Sequence, residues 1–355
     1  MVNNKIFINI ASYNEEDLID TIETAFNKAK DPENIYIGMC LHNSNNIFPN
    51  LDKYKNVKFI HINEKVGLGL GISRNLAASF YNDEKYYLQI DAHTVFKTNW
   101  DYILKEKYEK IKQNYKKPII STYVPYYYRD RITGKKLTMA QNENWEDYYT
   151  PWSLVAKSHP EALDIQDKEK YRLFAYGIEA LDSPAAKKAD FNNQGYEEQY
   201  FISGHFLFTD SIFLKEVKYD PELAYHEENV IAMLAWTRGY RIFNINDHVL
   251  WTREMYTMGR DVPNSWKQTY LDKDENGISF RDKVIAGTLR NKDILTGKVL
   301  GEYGSPTIEL LNAYENAAGL DYNKFYKDMY DIVEKTGNQY GASRALYDLD
   351  RDRND

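Results

Sequence analysis

The chain opens with an alternation that few architectures accept. Lys5-Ile-Phe-Ile-Asn-Ile10 is a short run rich in β-branched residues, closed by the polar turn Ala11-Ser-Tyr-Asn-Glu-Glu16. Leu18, Ile22, Ala25 and Ala29, with Ile19 and Phe26 beside them, then recur at helical spacing, and Asn14 or Ser12 is the expected cap. Asp31-Pro32 ends that helix, and Ile35-Tyr-Ile-Gly-Met39 and Val57-Lys-Phe-Ile-His-Ile62 read as the next two strands. A helix over about Ser73 to Phe80 leads into a further strand, Tyr86-Tyr-Leu-Gln-Ile90. Strands that alternate with helices call for a mostly parallel sheet with helices on its faces, an α/β class. The pattern continues with an amphipathic helix over Trp100–Asn114, strands at Pro118–Tyr123, Tyr200–Phe208 and Arg241–Ile245, and a helix carrying Val230, Ile231, Leu234 and Ala235 on its apolar side.

Two stretches break the alternation. From Val124 to about Tyr200 the sequence is polar and aromatic without a strong period, with Tyr126-Tyr-Tyr128, Trp145, Tyr148, Tyr149 and Trp152, as expected of an inserted system of binding loops. From Ser265 onward the chain reads as mainly helical and charged, and Asp348–Asp355 as a frayed tail. The expected organisation is a domain over residues 1–264, carrying the 124–200 insertion, followed by a helical extension over 265–355.

Composition removes several function classes. The 355 residues are 43% hydrophobic, enough for a sizeable core. A net charge of −8 gives no global basic field to draw the chain to nucleic acid or an anionic membrane. The single cysteine, Cys40, excludes an intrachain disulfide framework and a cysteine-rich zinc site. No apolar run approaches membrane-spanning length and the N-terminus carries no long apolar segment, so the expected location is cytoplasmic. The 31 tyrosines and 6 tryptophans exceed what a core needs, and such rings often line sites that stack on sugars or bases.

Three features carry chemistry. Asp91 and His93 follow the Tyr86–Ile90 strand, and side chains two apart on an extended chain share a face, so carboxylate and imidazole can converge on one cation. An Asp-x-His triplet is common by chance, and its setting has to supply the rest. Gly67, Gly69 and Gly71 precede a helix bearing Arg74; the loop reads either as backbone approaching phosphate, with Arg74 aimed at a nucleotide, or as a flexible turn. Its spacing matches neither a dinucleotide fingerprint nor a Walker A motif, which disfavours hydride transfer and P-loop chemistry. Glu227 and Glu228 sit in the first turn of a helix, either as site carboxylates or as acids favourably placed on the helix dipole. Gly204, inside Tyr200–Phe208, would allow a ligand close approach.

The order of these pieces is more specific than any one of them. Phe7-Ile-Asn-Ile-Ala-Ser-Tyr13, the Gly/Arg74 segment, Tyr87-Leu-Gln-Ile-Asp-Ala-His93 with Trp100-Asp101, Ser203-Gly-His-Phe-Leu-Phe208, Tyr219-Asp-Pro221, His226-Glu-Glu228, Trp236-Thr-Arg-Gly-Tyr240, Gly301-Glu-Tyr-Gly304 and Ala313–Asp321 follow one another. Together they resemble glycosyltransferase family 60, which includes cytoplasmic enzymes that add N-acetylglucosamine to hydroxyproline and is similar to the polypeptide N-acetylgalactosaminyltransferases. The resemblance spans roughly residues 5 to 325 and is weakest over the 124–200 insertion.

That resemblance implies a GT-A fold, a UDP-sugar donor, Mn²⁺ or Mg²⁺, and retention of anomeric configuration. It makes Asp91 and His93 metal ligands, with a later histidine, His248, as the candidate third; His248 lies three residues before Trp251 where two are expected. It places Arg74, Gly67 and Gly71 toward the diphosphate, the Ser12-Tyr13 turn at the uracil, and Glu227 or Glu228 at the sugar or acceptor hydroxyl. Arg253 is left between pairing with the diphosphate and a structural salt bridge. The implied reaction moves GlcNAc, GalNAc or Glc to a hydroxyl of a protein or peptide. A hydroxylated DNA base is a second acceptor class, disfavoured by the acidic balance, and a non-catalytic sugar-nucleotide-binding protein is the reading from another class.

Overall fold

The computed structural model describes residues 3–43, 51, 53–63, 66–122, 124–129, 136–138, 152–155, 185–191, 193–224, 227–253, 273 and 277–336. Trp145, Tyr148, Tyr149, His226, the 264/265 boundary and the 348–355 tail lie outside the described residues.

The alternation expected from the sequence is present. β1 (Ile6–Tyr13), α1 (Leu18–Asn27), β2 (Ile35–Asn43), β3 (Val57–Asn63), α2 (Leu70–Ala78), β4 (Tyr86–Asp91), β5 (Thr94–Phe96), α3 (Trp100–Lys112), β6 (Pro118–Ser121), β7 (Tyr126–Arg129) and β8 (Lys136–Thr138) form the first part. β9 (Trp152–Val155), β10 (Ala185–Lys188), β11 (Tyr196–Gln199), β12 (Phe206–Asp210), α4 (Phe213–Glu216), α5 (Glu228–Thr237), β13 (Arg241–Ile245), β14 (Leu250–Arg253), α6 (Phe280–Leu295), α7 (Ile308–Ala318) and α8 (Tyr322–Thr336) follow. One eight-stranded sheet has the order β3-β2-β1-β4-β12-β6-β13-β11. β1 to β4 run parallel, β6 and β13 run with them, and β12 and β11 run against their neighbours. A smaller sheet joins β5, β14, β7 and β8, and β9 pairs with β10. This mixed, mostly parallel sheet flanked by helices is the α/β class expected.

Strict alternation along the central strands divides the core. Ile6, Ile8 and Ile10 join Leu88, Ile90, Trp100 and Leu104 on one face, while Phe7 joins Tyr87, Leu207, Met233 and Leu234 on the other. Burial on both faces explains why these strands read as near-continuous apolar runs. Leu289, Ile294, Leu311, Tyr314, Tyr322 and Tyr326 belong to that second cluster, so α6, α7 and α8 pack on the core that α5 covers.

Several local expectations need correction. β1 runs on through the polar residues to Tyr13, because β2 supplies a ladder as far as Tyr13↔His42. The N-cap of α1 is Asp17, without a side-chain cap, in place of Asn14 or Ser12. Tyr200–Gly204 is a turn rather than a strand, and the ladder begins at Phe206. Among the described residues no helix is long and apolar enough to cross a membrane.

Candidate active site

The parallel strands β1 to β4 all deliver their C-terminal ends to one edge of the sheet. In the order β3-β2-β1-β4 the connections leave β1 toward opposite sides, and the crevice outside the strand ends at such a reversal is where open α/β sheets bind ligands. Register fixes which residues stand there. Asp91 pairs with Ala11, Ala11 with Cys40, and Tyr13 with His42, so Tyr13, His42 and Asp91 project on the face that α2 covers.

Asp91 and His93 converge as their spacing predicts, with His93 Nε2 3.5 Å from Asp91 Oδ2. On its other side, His93 Nδ1 lies 3.0 Å from Oε2 of the buried Glu15. A carboxylate on Nδ1 orients the ring and leaves Nε2 facing Asp91, an arrangement that also occurs behind metal-bound histidines. Glu15 belongs to the turn after β1 and stands 78 residues from His93. No local pattern announces the pairing.

Arg74 enters from α2 and is 2% exposed. Its Nη1 donates to the carbonyls of Asn9 (3.0 Å) and Ile90 (2.8 Å), and Nη2 reaches Asp91 Oδ1 at 3.3 Å. The guanidinium thus ties the ends of β1 and β4 together and holds the Asp91 carboxylate from behind.

The glycines near α2 serve a different purpose from the one first considered. Gly71 N–H donates to Leu223 O and Leu70 N–H to Ala224 O, both at 2.9 Å, so these amides are committed to protein carbonyls. A Cβ on Gly71 would stand 2.1 Å from Asp220 O, and one on Gly69 would stand 2.2 Å from Ala224 Cα. Both residues are glycine because two backbones touch there. Gly67 is in the left-handed region with φ +55°, and a Cβ there would face Phe280 at 3.4 Å.

The acidic pair divides. Glu228 Oε1 accepts the Gly204 N–H at 2.9 Å, and a Cβ at 204 would meet that oxygen. Gly204 therefore admits the Glu228 carboxylate rather than a ligand. Glu227 is 4% exposed and its charge raises the pKa of the buried Tyr87 and Tyr219 phenols, whose main perturbation is burial. Both phenols donate to Gln89 Oε1, and Gln89 Nε2 donates to Gly204 O, so one buried network supports the Ser203–His205 turn from below.

His205 was quoted above only as part of a motif, and the structure gives it a place in the site. The β12–β4 register continues Phe206↔Ile90 toward His205 beside Asp91. Burial pushes the His205 pKa down to about 4, against the pull of Asp91 and with the push of His93.

Two expected residues lie elsewhere. Arg253 Nη1 is 2.7 Å from Oδ2 of the fully buried Asp17, and its backbone N–H donates to His93 O. Of its two readings the structure contains the salt bridge. His248 is not brought to Asp91 and His93. The β5–β14 register runs Trp251↔Val95 and Leu250↔Phe96, and the Lys97 N–H donates to Val249 O, which places His248 beyond the end of β5 away from His93. It packs edge-on against Trp251 at 5.4 Å, and burial takes its pKa down to about 4. Among the described residues no group of three His, Cys, Asp or Glu side chains is spaced to hold a cation.

The glycosyltransferase (GlcNAc) family model matches the chain over residues 5–50 and 45–297, which takes in every strand and helix of the site. The chain belongs to the glycosyltransferase (GlcNAc) family. The chain shows 14% identity and a TM-score of 0.49 to the crystal structure of GalNAc-T7 with UDP, GalNAc and Mn²⁺, covering 93% of this chain and 58% of that one, less than two thirds of its length. It shows 13% identity and a TM-score of 0.40 to S. aureus TarS 1–349, covering 81% of this chain and 71% of that one. A third similarity, to S. aureus TarS 1–349 in complex with UDP, has 15% identity and a TM-score of 0.40 over 70% of this chain and 60% of that one. No curated protein matches the chain by sequence.

Proposed function

We propose that the enzyme is a metal-dependent, retaining glycosyltransferase that moves GlcNAc, GalNAc or Glc from a UDP-sugar to a hydroxyl of a protein or peptide. The observation that carries this reading is the Asp91–His93 pair, 3.5 Å apart at a strand end on the ligand-binding edge of the sheet. The donor set fits a divalent cation that takes its remaining ligands from the substrate. One carboxylate and one imidazole, the latter already tied back by Glu15, suit Mn²⁺ or Mg²⁺ completed by phosphate oxygens and water. Bound there, the cation would neutralise charge growing on the UDP leaving group.

Every other part falls to the chain itself. Arg74 holds Asp91 in place and adds positive charge behind the diphosphate. Tyr13, with Ser12 beside it, offers an aromatic surface for the base where β1 ends. Glu228 fixes the turn that carries His205 toward the donor sugar. In the retaining reaction the bond from the anomeric carbon to the donor phosphate oxygen breaks and a bond to the acceptor oxygen forms on the same face. The acceptor proton passes to the departing phosphate, so no protein nucleophile is needed. The proposed catalytic domain covers residues 1–264, with 265–355 as a helical extension sharing its core.

Incubation with Mn²⁺ and a panel of UDP-sugars tests this directly. UDP release that is abolished by a chelator supports the reading. Undiminished release in the presence of the chelator contradicts it.

A further inference from the structure

One buried ion pair joins the helical extension to the segment on which α2 is seated. Asp220 is 1% exposed, and its Oδ2 accepts from Arg290 Nε at 2.7 Å. Its Oδ1 accepts the Glu222 N–H at 2.8 Å, so the same carboxylate shapes the turn that follows it. Oε2 of the exposed Glu222 lies farther from Arg290 Nε, at 3.9 Å. Arg290 stands on α6, 70 residues along the chain from Asp220.

Residues 219–224 lie between two helices, and both contacts are backbone on backbone. On one side the Leu70 and Gly71 N–H groups donate to the Ala224 and Leu223 carbonyls, and Asn75 Nδ2 donates to Tyr219 O at 2.9 Å. On the other side a Cβ on Gly287 of α6 would stand 2.9 Å from both Ala224 N and Glu222 O. With glycine at 69, 71 and 287, no flexible side chain lies in either contact to absorb a movement. A shift of the segment therefore moves α2 or opens the hydrogen bonds at its start. Arg74, on that helix, holds the Asp91 carboxylate. A buried carboxylate without its cation is costly, and turning Asp220 toward water would relieve that cost by pulling the segment off α2.

We infer that Arg290 is a positioning residue, which holds residues 219–224 against α2 and so sets where Arg74 meets Asp91. Its bearing on catalysis rests on the donor reading proposed above, whereas the seating of α2 does not. The extension is then part of the site rather than a unit appended to it.

Hydrogen exchange of the full chain, followed by mass spectrometry, tests the seating without any ligand. In Arg290→Met the amides at the start of α2 are expected to exchange about tenfold or more faster, while α3, on the other face of the sheet, stays as in wild type. Arg290→Lys, which keeps the charge, should restore part of the protection. Arg290→Met combined with Asp220→Asn strands no charge and should restore most of it. UDP affinity with Mn²⁺ present, measured by calorimetry, should follow the same order and be weaker by about tenfold in Arg290→Met. Unchanged α2 protection in Arg290→Met overturns the inference, as does faster exchange spread evenly over the chain or confined to α6. If that variant does not fold, Arg290→Gln is read in its place, and unchanged α2 protection there has the same meaning. Faster α2 exchange with unchanged UDP affinity overturns the role in the site. Wild-type protein that binds no UDP overturns the donor reading instead, and the exchange measurement still decides the seating.

Discussion

Glu15 Oε2 sits 3.0 Å from His93 Nδ1, so the turn after β1 holds the imidazole that follows β4. The relationship joins the first crossover of the sheet to the proposed cation site. It assigns Glu15 a positioning role that does not require contact with the cation. Glu15→Leu is expected to weaken Mn²⁺ affinity about 10–100-fold, with UDP affinity in the absence of metal unchanged. Glu15→Gln, which keeps an acceptor, should fall between wild type and Glu15→Leu. Equal Mn²⁺ affinities in all three, read by electron paramagnetic resonance, would show the pair to be merely structural.

Arg253 and Asp17 form a pair with one partner fully buried, and removing the cation strands a carboxylate in the interior. Arg253→Met should lower unfolding free energy by about 3–5 kcal/mol, measured by urea titration. UDP binding to the folded fraction should change little. A variant of wild-type stability that fails to bind UDP would return Arg253 to the diphosphate.

Gly71 touches the backbone of Asp220 so closely that even a methyl group has no room. Gly71→Ala is expected to push α2 away from residues 220–224 and cost about 2 kcal/mol or more. Because Arg74 and Ser73 ride on the same helix, nucleotide affinity should fall with stability. A silent substitution in thermal melts would mean that the contact is looser than described.

The buried His42 gives stability a definite slope with pH. Burial, with the neighbouring His61, takes its pKa down to about 4 from the ordinary 6.5, and Cys40, Ser73, Tyr13 and His61 are the groups around it. Above pH 6.5 neither state is protonated there. As pH falls from 6.5 toward 4, only the unfolded chain takes up the proton, so stability declines, by about 2 kcal/mol at pH 5 from this residue. His42→Gln should flatten that part of the profile in denaturant titrations between pH 7 and pH 4.5. An unchanged slope would mean that the imidazole is protonated in the fold.

The strands were legible because burial on both faces demands continuous apolar residues, as in Ile6–Ile10 and Tyr86–Ile90. The Asp91–His93 pair was legible because a period of two needs no knowledge of the fold. What escaped depends on contacts distant in sequence. Gly204 looked like a place for a ligand until Glu228, 24 residues on, filled it. His248 looked like a third metal ligand until the β5–β14 register carried it down the ladder. Glu15 gave no sign of its role, since it acts through a partner on another element.

Under the proposed function, Asp91 and His93 would hold a divalent cation that neutralises charge on the donor diphosphate. Mn²⁺ titration followed by electron paramagnetic resonance, with and without UDP, measures this without requiring the acceptor. Wild-type protein should bind one Mn²⁺ more tightly when UDP is present, and Asp91→Ala should lose that UDP-dependent site while remaining folded. UDP-dependent Mn²⁺ binding of equal affinity in wild type and Asp91→Ala would contradict the account.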